Sequence, residues 1–219
     1  MNKTQKLTLI GLIIALFLTI CRMTDLFGII QLENSIITRW IREIEFWIFL
    51  GLIFLISIKI ERTKFLLWSE IKRKWYFYLL SVISVFAATV VIAVSVPIIL
   101  KILQIPLKQE VLESVADYYC SDKLLLIFGC LTAGIVEEFI FRGYLMPRLE
   151  ILFKHGWVVI VLSAILFGIG HIGNLSLAGV IVPTLIGLIF SFHYYKYRNI
   201  ISLMIAHFLI DFASFITSC

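Results

Sequence analysis

Apolar residues fall into seven long runs separated by short polar stretches. The runs are Leu7 to Cys21, Phe46 to Ile58, Trp75 to Leu100, Leu124 to Leu145, Trp157 to Ile169, Leu175 to Tyr195 and Ile200 to Ile216. A bilayer-spanning helix needs about 20 mostly apolar residues, so the pattern predicts an all-α polytopic membrane helix bundle of about seven (six to eight) transmembrane helices. The second and fifth runs are short and must recruit flanking residues or tilt. The third is long enough to tilt or bend near Pro97. The short alternating segments of a β-barrel are absent from the pattern. With no repeat and no low-complexity stretch, residues 1–219 read as a single membrane-embedded domain. Residues 1–123 supply N-terminal transmembrane helices and an interfacial loop, and residues 124–219 supply the core. The first run carries no small-x-small cleavage site and reads as a retained anchor.

Composition agrees and narrows the function. The 219 residues are 61% hydrophobic and 15% charged, against roughly 45–50% and about 25% in soluble domains. Such a chain cannot cover itself with polar groups, so its first partner is the lipid bilayer. Nucleic-acid binding and soluble-cofactor folds drop out, and intrinsic disorder is excluded by the high hydrophobicity. The net charge of +5 is a topology signal. Basic residues follow every second run: Lys3 and Lys6 precede the first, Lys59, Arg62, Lys64, Lys72, Arg73 and Lys74 follow the second, Arg148 and Lys154 the fourth, Lys196 and Arg198 the sixth. The connection holding Glu110, Glu113, Asp117 and Asp122 is acidic. The alternation predicts an integral membrane protein with a cytoplasmic N-terminus and an external C-terminus. Cys21, Cys120, Cys130 and Cys219 show no CxxC pairing and no finger spacing, so neither a disulfide framework nor a zinc ribbon is predicted. Leu107 to Tyr119 is amphipathic and reads as an interfacial helix or a helical loop.

Ionisable residues inside a span are costly and usually functional. The fourth run contains Glu137, Glu138 and Arg142, the fifth ends at His171, and the seventh contains His207 and Asp211. Glu45, Lys59 and His193 sit at run ends, where they can snorkel, and receive no role. Residues four apart share a helical face, whereas adjacent ones diverge. Glu138 therefore lies beside Arg142, which can hold it ionised. Glu137 points elsewhere and suits a general base. His207 and Asp211 share a face, so Asp211 can orient the imidazole and fix its tautomer, or both can bind a developing charge. Together these groups can deprotonate water and stabilise a tetrahedral oxyanion. Read individually, Glu138–Arg142 is also a plausible packing pair, and each histidine an interior hydrogen-bonded one. The same donors (Glu137, His171 and His207) are zinc ligands in type.

Glu137-Glu138-x-x-x-Arg142, Phe167-x-x-x-His171 and His207-x-x-x-Asp211, in that order, resemble the motifs of the CPBP intramembrane proteases. That family includes the Rce1-type CAAX prenyl endopeptidases and the bacterial bacteriocin-processing and Abi self-immunity proteins. The similarity covers about Leu124 to Ser218 and marks residues 124–219 as a CPBP-like catalytic core. The resemblance implies an intramembrane endopeptidase of a prokaryotic cell membrane, acting on a membrane-associated peptide of prenylated CAAX type or leader type. It implies that Glu137 and His171 activate water and that Glu138 and Arg142 support them. It also implies that His207 and Asp211 form the oxyanion hole and that Phe167 lines the substrate pocket. The family often carries asparagine where this chain has Asp211. An ionised aspartate cannot donate to an oxyanion, so Asp211 is either protonated or an orienting group. The resemblance favours a glutamate-dependent mechanism with no obligatory cofactor; a zinc metalloprotease is the alternative. Two other classes stay open: a non-catalytic immunity or scaffold protein, and a proton-coupled transporter.

One expectation concerns depth. Glu137 lies well inside a run entered from outside, and His171 ends a run entered from the cytoplasm, which leaves them roughly 10 Å apart in depth at 1.5 Å per residue. Folding of residues 143–155 back into the membrane as an amphipathic helix is the expected remedy, with Arg148 and Lys154 on its polar side.

Overall fold

A computed structural model describes residues 3–23, 35–105, 118–171 and 177–219. The predicted interfacial segment lies outside these except for Tyr118 and Tyr119. Each apolar run forms a helix: α1 (Lys3–Met23), α2 (Ile36–Leu55, prolonged by a π-helical turn Ile56–Glu61), α3 (Trp75–Ile102), α4 (Lys123–Phe153), α5 (Gly156–Gly170), α6 (Leu177–Tyr197) and α7 (Ile200–Ser218). No strand occurs among the described residues, and the fold is an all-α bundle.

By length and composition α3, α4, α6 and α7 can each cross a bilayer, while α1 and α5 contain shorter apolar stretches. The short second run does recruit flanking residues. Its helix starts at Ile36, where Ser35 accepts the backbone N–H of Thr38, and so includes Arg39, Arg42, Glu43 and Glu45. Asp122 caps α4 through the N–H groups of Leu124 and Leu125, and Asn199 caps α7 through Ser202. Each cap meets backbone donors that lack an intrahelical acceptor.

Helix α4 is the axis of the bundle. In its most apolar stretch 61% of the residues are buried, against 17% in α3 and 28% in α6 and α7. The outer helices turn Leu80, Val91, Ile102, Trp157 and Ile201 outward, as expected where the surrounding solvent is lipid.

The depth discrepancy is resolved differently from the expectation. Residues 143–153 do not fold back as a separate amphipathic helix; α4 runs on to Phe153 and reverses at Lys154, whose φ is 57°. At 1.5 Å per residue, Glu137 then lies about 24 Å and His171 about 22 Å from that reversal, at matching depth. The helix can continue because Arg148, read from sequence as a cytoplasmic charge, is buried and paired. Its guanidinium donates to Glu61 Oε2 at 2.6 Å and to the carbonyls of Phe65 and Tyr144 at 3.0 Å. Tyr144 adds a bond to Glu61 Oε1 at 2.7 Å. Sequence inspection assigned no role to Glu61, because its partner lies 87 positions away.

A strap, residues 62–74, closes this end of the bundle. Glu70 accepts Tyr194 Oη at 2.6 Å and the Ile200 N–H at 2.8 Å, and Trp68 donates to Glu150 at 2.9 Å. Arg198 stacks on the Trp68 ring. His193, expected to snorkel at a span end, is instead buried against Phe77 and Tyr197. The strap brings the start of α3 over that part of α6.

The cysteines also depart from the sequence reading. Cys120 and Cys219 form a disulfide, and Cys130 is buried and free. Spacing conceals this pairing, since the partners stand 99 positions apart and meet only because α4 begins where α7 ends. The bond closes a loop that holds all three ionisable motifs. Reduction is expected to lower the melting temperature in detergent. Chain entropy sets an upper limit of about 4.7 kcal/mol for a loop near 100 residues, and helices that persist in micelles reduce it. Thermal melts with and without a thiol reductant check this.

Candidate active site

The site is built on a disturbed part of α4. Residues Ala133–Glu137 and Phe139–Leu145 are π-helical, with Glu138 between them. Such widened turns are rare and cluster at functional positions. They alter the direction of the two carboxylates. The sequence reading sends Glu137 away from Glu138; the structure turns both toward His207 on α7. Glu138 Oε1 lies 3.0 Å from His207 Nδ1, and Glu137 Oε2 lies 3.9 Å from Nε2 of the same ring.

Glu138 also meets Arg142 as expected, with Nη1 donating to Oε1 at 2.9 Å and both side chains fully buried. The second Arg142 arm donates to the Gly187 carbonyl on α6 at 3.2 Å. The guanidinium carbon lies 4.6 Å from the Phe167 ring centroid and 5.3 Å from that of Phe190. Stacked rings and a carboxylate together replace the hydration lost on burial.

His207 is therefore oriented chiefly by Glu138. A carboxylate held by arginine accepts hydrogen bonds, so Nδ1 carries the proton it shares with Glu138, and Nε2 faces Glu137 and Asp211. Asp211 Oδ2 lies 3.5 Å from Nε2. Asp211 lies on the opposite edge of the ring, within electrostatic reach of both histidines and both glutamates.

His171 follows the last turn of α5, and its Nδ1 meets the Phe167 carbonyl at 2.9 Å. A carbonyl only accepts, so Nδ1 is the donor and Nε2 keeps its lone pair. Phe167 is buried between the histidines, with ring centroids 4.9 Å from His171 and 6.0 Å from His207. The three motifs thus meet around Phe167, Arg142 and His207.

Close helix approach makes this convergence possible. A Cβ on Gly134 would stand 2.9 Å from the Met204 carbonyl and 3.1 Å from the Phe208 nitrogen. These are backbone atoms of α7 and cannot yield without moving the helix. Small residues at such crossings let membrane helices touch. Gly134→Ala is expected to displace α7 by a few tenths of an ångström or more. Activity should fall while the protein still inserts, checked by turnover beside expression and melting. A variant with unchanged turnover would show that the Gly134 contact does not set the His207 position.

Two contributors escaped the sequence reading. The Gly187 carbonyl and the Phe190 ring come from α6, and Phe190 stands edge-on to His207 at 5.6 Å. A search for ionisable residues inside spans passes over both.

Zinc was the alternative cofactor. Among the described residues no three His, Cys, Asp or Glu side chains are grouped to hold a metal ion. No step below runs through a metal.

A polytopic helical membrane protein with a buried Glu–Arg–His cluster at the crossing of three helices is the class that fold and site define. Residues 121–213 match the family model of the type II CAAX prenyl endopeptidase Rce1-like proteins. That stretch is thus similar to a peptidase family, and the apolar helices around it mark an integral membrane protein. No curated protein and no solved structure matches the chain.

Proposed function

We propose that this protein is an intramembrane endopeptidase that hydrolyses a peptide bond of a membrane-associated peptide by glutamate-activated water. The observation that carries this reading is the pair of carboxylates on one imidazole, with Glu138 at 3.0 Å from Nδ1 and Glu137 at 3.9 Å from Nε2 of His207. Glu138 is neutralised by Arg142, which leaves Glu137 for chemistry.

In the proposed reaction Glu137 takes a proton from water, and the lone pair on His171 Nε2 holds the water in line. The water oxygen bonds to the scissile carbonyl carbon, and the carbonyl oxygen becomes an oxyanion. His207, doubly protonated and balanced by Glu138, donates Nε2–H to that oxyanion. Collapse breaks the C–N bond, and the proton on Glu137 moves to the leaving amine. Asp211 acts on the charge of the imidazole and does not itself donate to the oxyanion. Phe167 and Phe190 keep bulk water from the ion pairs.

Substrates of two kinds suit a catalytic depth within the bilayer: a prenylated CAAX-type tail and a leader-type peptide anchored by an apolar segment. The disulfide supports an orientation with α4 starting and α7 ending outside, because such bonds persist in oxidising compartments. The positive-inside alternation gives the same orientation, with the N-terminus in the cytoplasm.

The test uses purified protein in vesicles with a panel of membrane-anchored peptides, some farnesylated at the C-terminus and some with leaders. Cleavage by the wild-type protein in the presence of a chelator, abolished in Glu137→Gln, is expected. Equal turnover by the variant would remove the mechanism, and loss of activity on chelation restored by zinc would replace it with a metal-dependent one.

A further inference from the structure

A groove of about 850 Å³ lies away from the carboxylate–histidine cluster. Its floor and walls are Leu50, Phe54, Ile58, Phe65, Leu66 and Phe139, and its rim holds Arg62 and Lys64. The volume is within the roughly 300–1,000 Å³ typical of ligand sites. Apolar walls alone mean little in a bilayer, where acyl chains are as apolar as leucine and fill any such surface. The rim is what distinguishes this groove.

Arg62 and Lys64 are both exposed. Among the described residues neither head group has an ion-pair partner. Glu61, the acid beside them in sequence, is taken up by Arg148, which meets Oε1 at 3.0 Å and Oε2 at 2.6 Å. Neither rim cation is therefore drawn into a pair with Glu61. The same Arg148 donates to the carbonyls of Lys64 and Phe65 at 3.3 and 3.0 Å, so the rim backbone is held from beneath. A fixed backbone lowers the ordering cost of binding.

We propose that this groove is a binding site for an anionic phospholipid. One acyl chain lies along Leu50, Phe54, Ile58 and Phe139, and the headgroup phosphate is paired by Arg62 and Lys64. The apolar length alone would accept any chain; charge complementarity at the rim selects the anionic lipid over a zwitterionic or uncharged one. This inference is independent of the hydrolytic reading, since no residue in it belongs to the carboxylate–histidine cluster.

The experiment places the full-length protein in nanodiscs of equal phosphatidylglycerol and phosphatidylcholine and counts the lipids retained on release by native mass spectrometry. Cations near an anionic surface each contribute about fivefold, so a preference for phosphatidylglycerol of up to about 25-fold is expected at low salt. It should fall as salt is raised and vanish in the double variant Arg62→Ala/Lys64→Ala. Both positions are exposed, so the variant is expected to melt with the wild-type protein. Leu50→Trp, which fills the groove, should lower retention of both lipids. Equal retention of the two lipids by the wild-type protein overturns the proposal. So does a preference that survives in the double variant. Displacement of the retained lipid by uncharged farnesol, equally in wild type and double variant, overturns it as well and assigns the groove to an isoprenoid chain.

Discussion

Glu137→Gln is expected to reduce peptide hydrolysis by about 10²–10⁴-fold, the usual contribution of a positioned general base. The substitution keeps shape and burial but removes the group that would accept a proton from water. Stability should change little, because the ion pair that holds the cluster together belongs to Glu138, at 2.9 Å from Arg142. Glu138→Gln is the informative contrast. It leaves Arg142 buried without its counter-charge and frees the His207 ring at Nδ1, so activity and melting temperature should both fall. Initial rates for the two variants, beside their melting curves in the same detergent, separate a chemical role from a positioning one. Loss of stability without loss of turnover in Glu138→Gln would break the assignment of His207 to the oxyanion.

The second large effect lies at the other end of α4. Arg148→Met strands Glu61 in the interior, and removal of one partner of a buried pair costs about 3–5 kcal/mol. Glu61→Gln should be nearly as severe, since Arg148 donates to it from two nitrogens, at 3.0, 2.8 and 2.6 Å. The combined Arg148→Met/Glu61→Leu protein should recover part of the loss, because no lone charge remains, although the carbonyls of Phe65 and Tyr144 lose a donor. Unfolding in mixed micelles with increasing denaturing detergent measures all three. A double variant as unstable as either single one would show that the lost carbonyl bonds, and not the unpaired charge, account for the instability.

The all-α class and the helical character of each run were legible because hydrophobicity in lipid is a local property. A run of twenty apolar residues has few alternatives to a helix, since unpaired backbone groups find no water there. Glu138 and Arg142 were legible for a similar reason: a spacing of four places them on one face without any help from the rest of the fold. The ordered motifs pointed to His171 and His207 as well. Glu137 was misdirected because α-helical periodicity was assumed where α4 is π-helical. The fold-back of residues 143–155 was expected as the remedy for an apparent difference in depth, and Glu61, the partner that holds Arg148 inside, gave no signal in the sequence.

Long-range encounters follow a different logic. The joining of Cys120 to Cys219, the hold of Glu61 on Arg148, and the contributions of Gly187 and Phe190 from α6 each depend on which helices pack together. Helix contact in a bilayer is set by side-chain shape and by close backbone approach, as at Gly134, and hydropathy carries no record of it. The sequence by itself determined that this chain is a helical membrane protein with acid and imidazole groups buried in three of its spans. Only the tertiary structure decided that two carboxylates flank one ring, because that outcome rests on a widened helical turn and on the distance between two helix backbones.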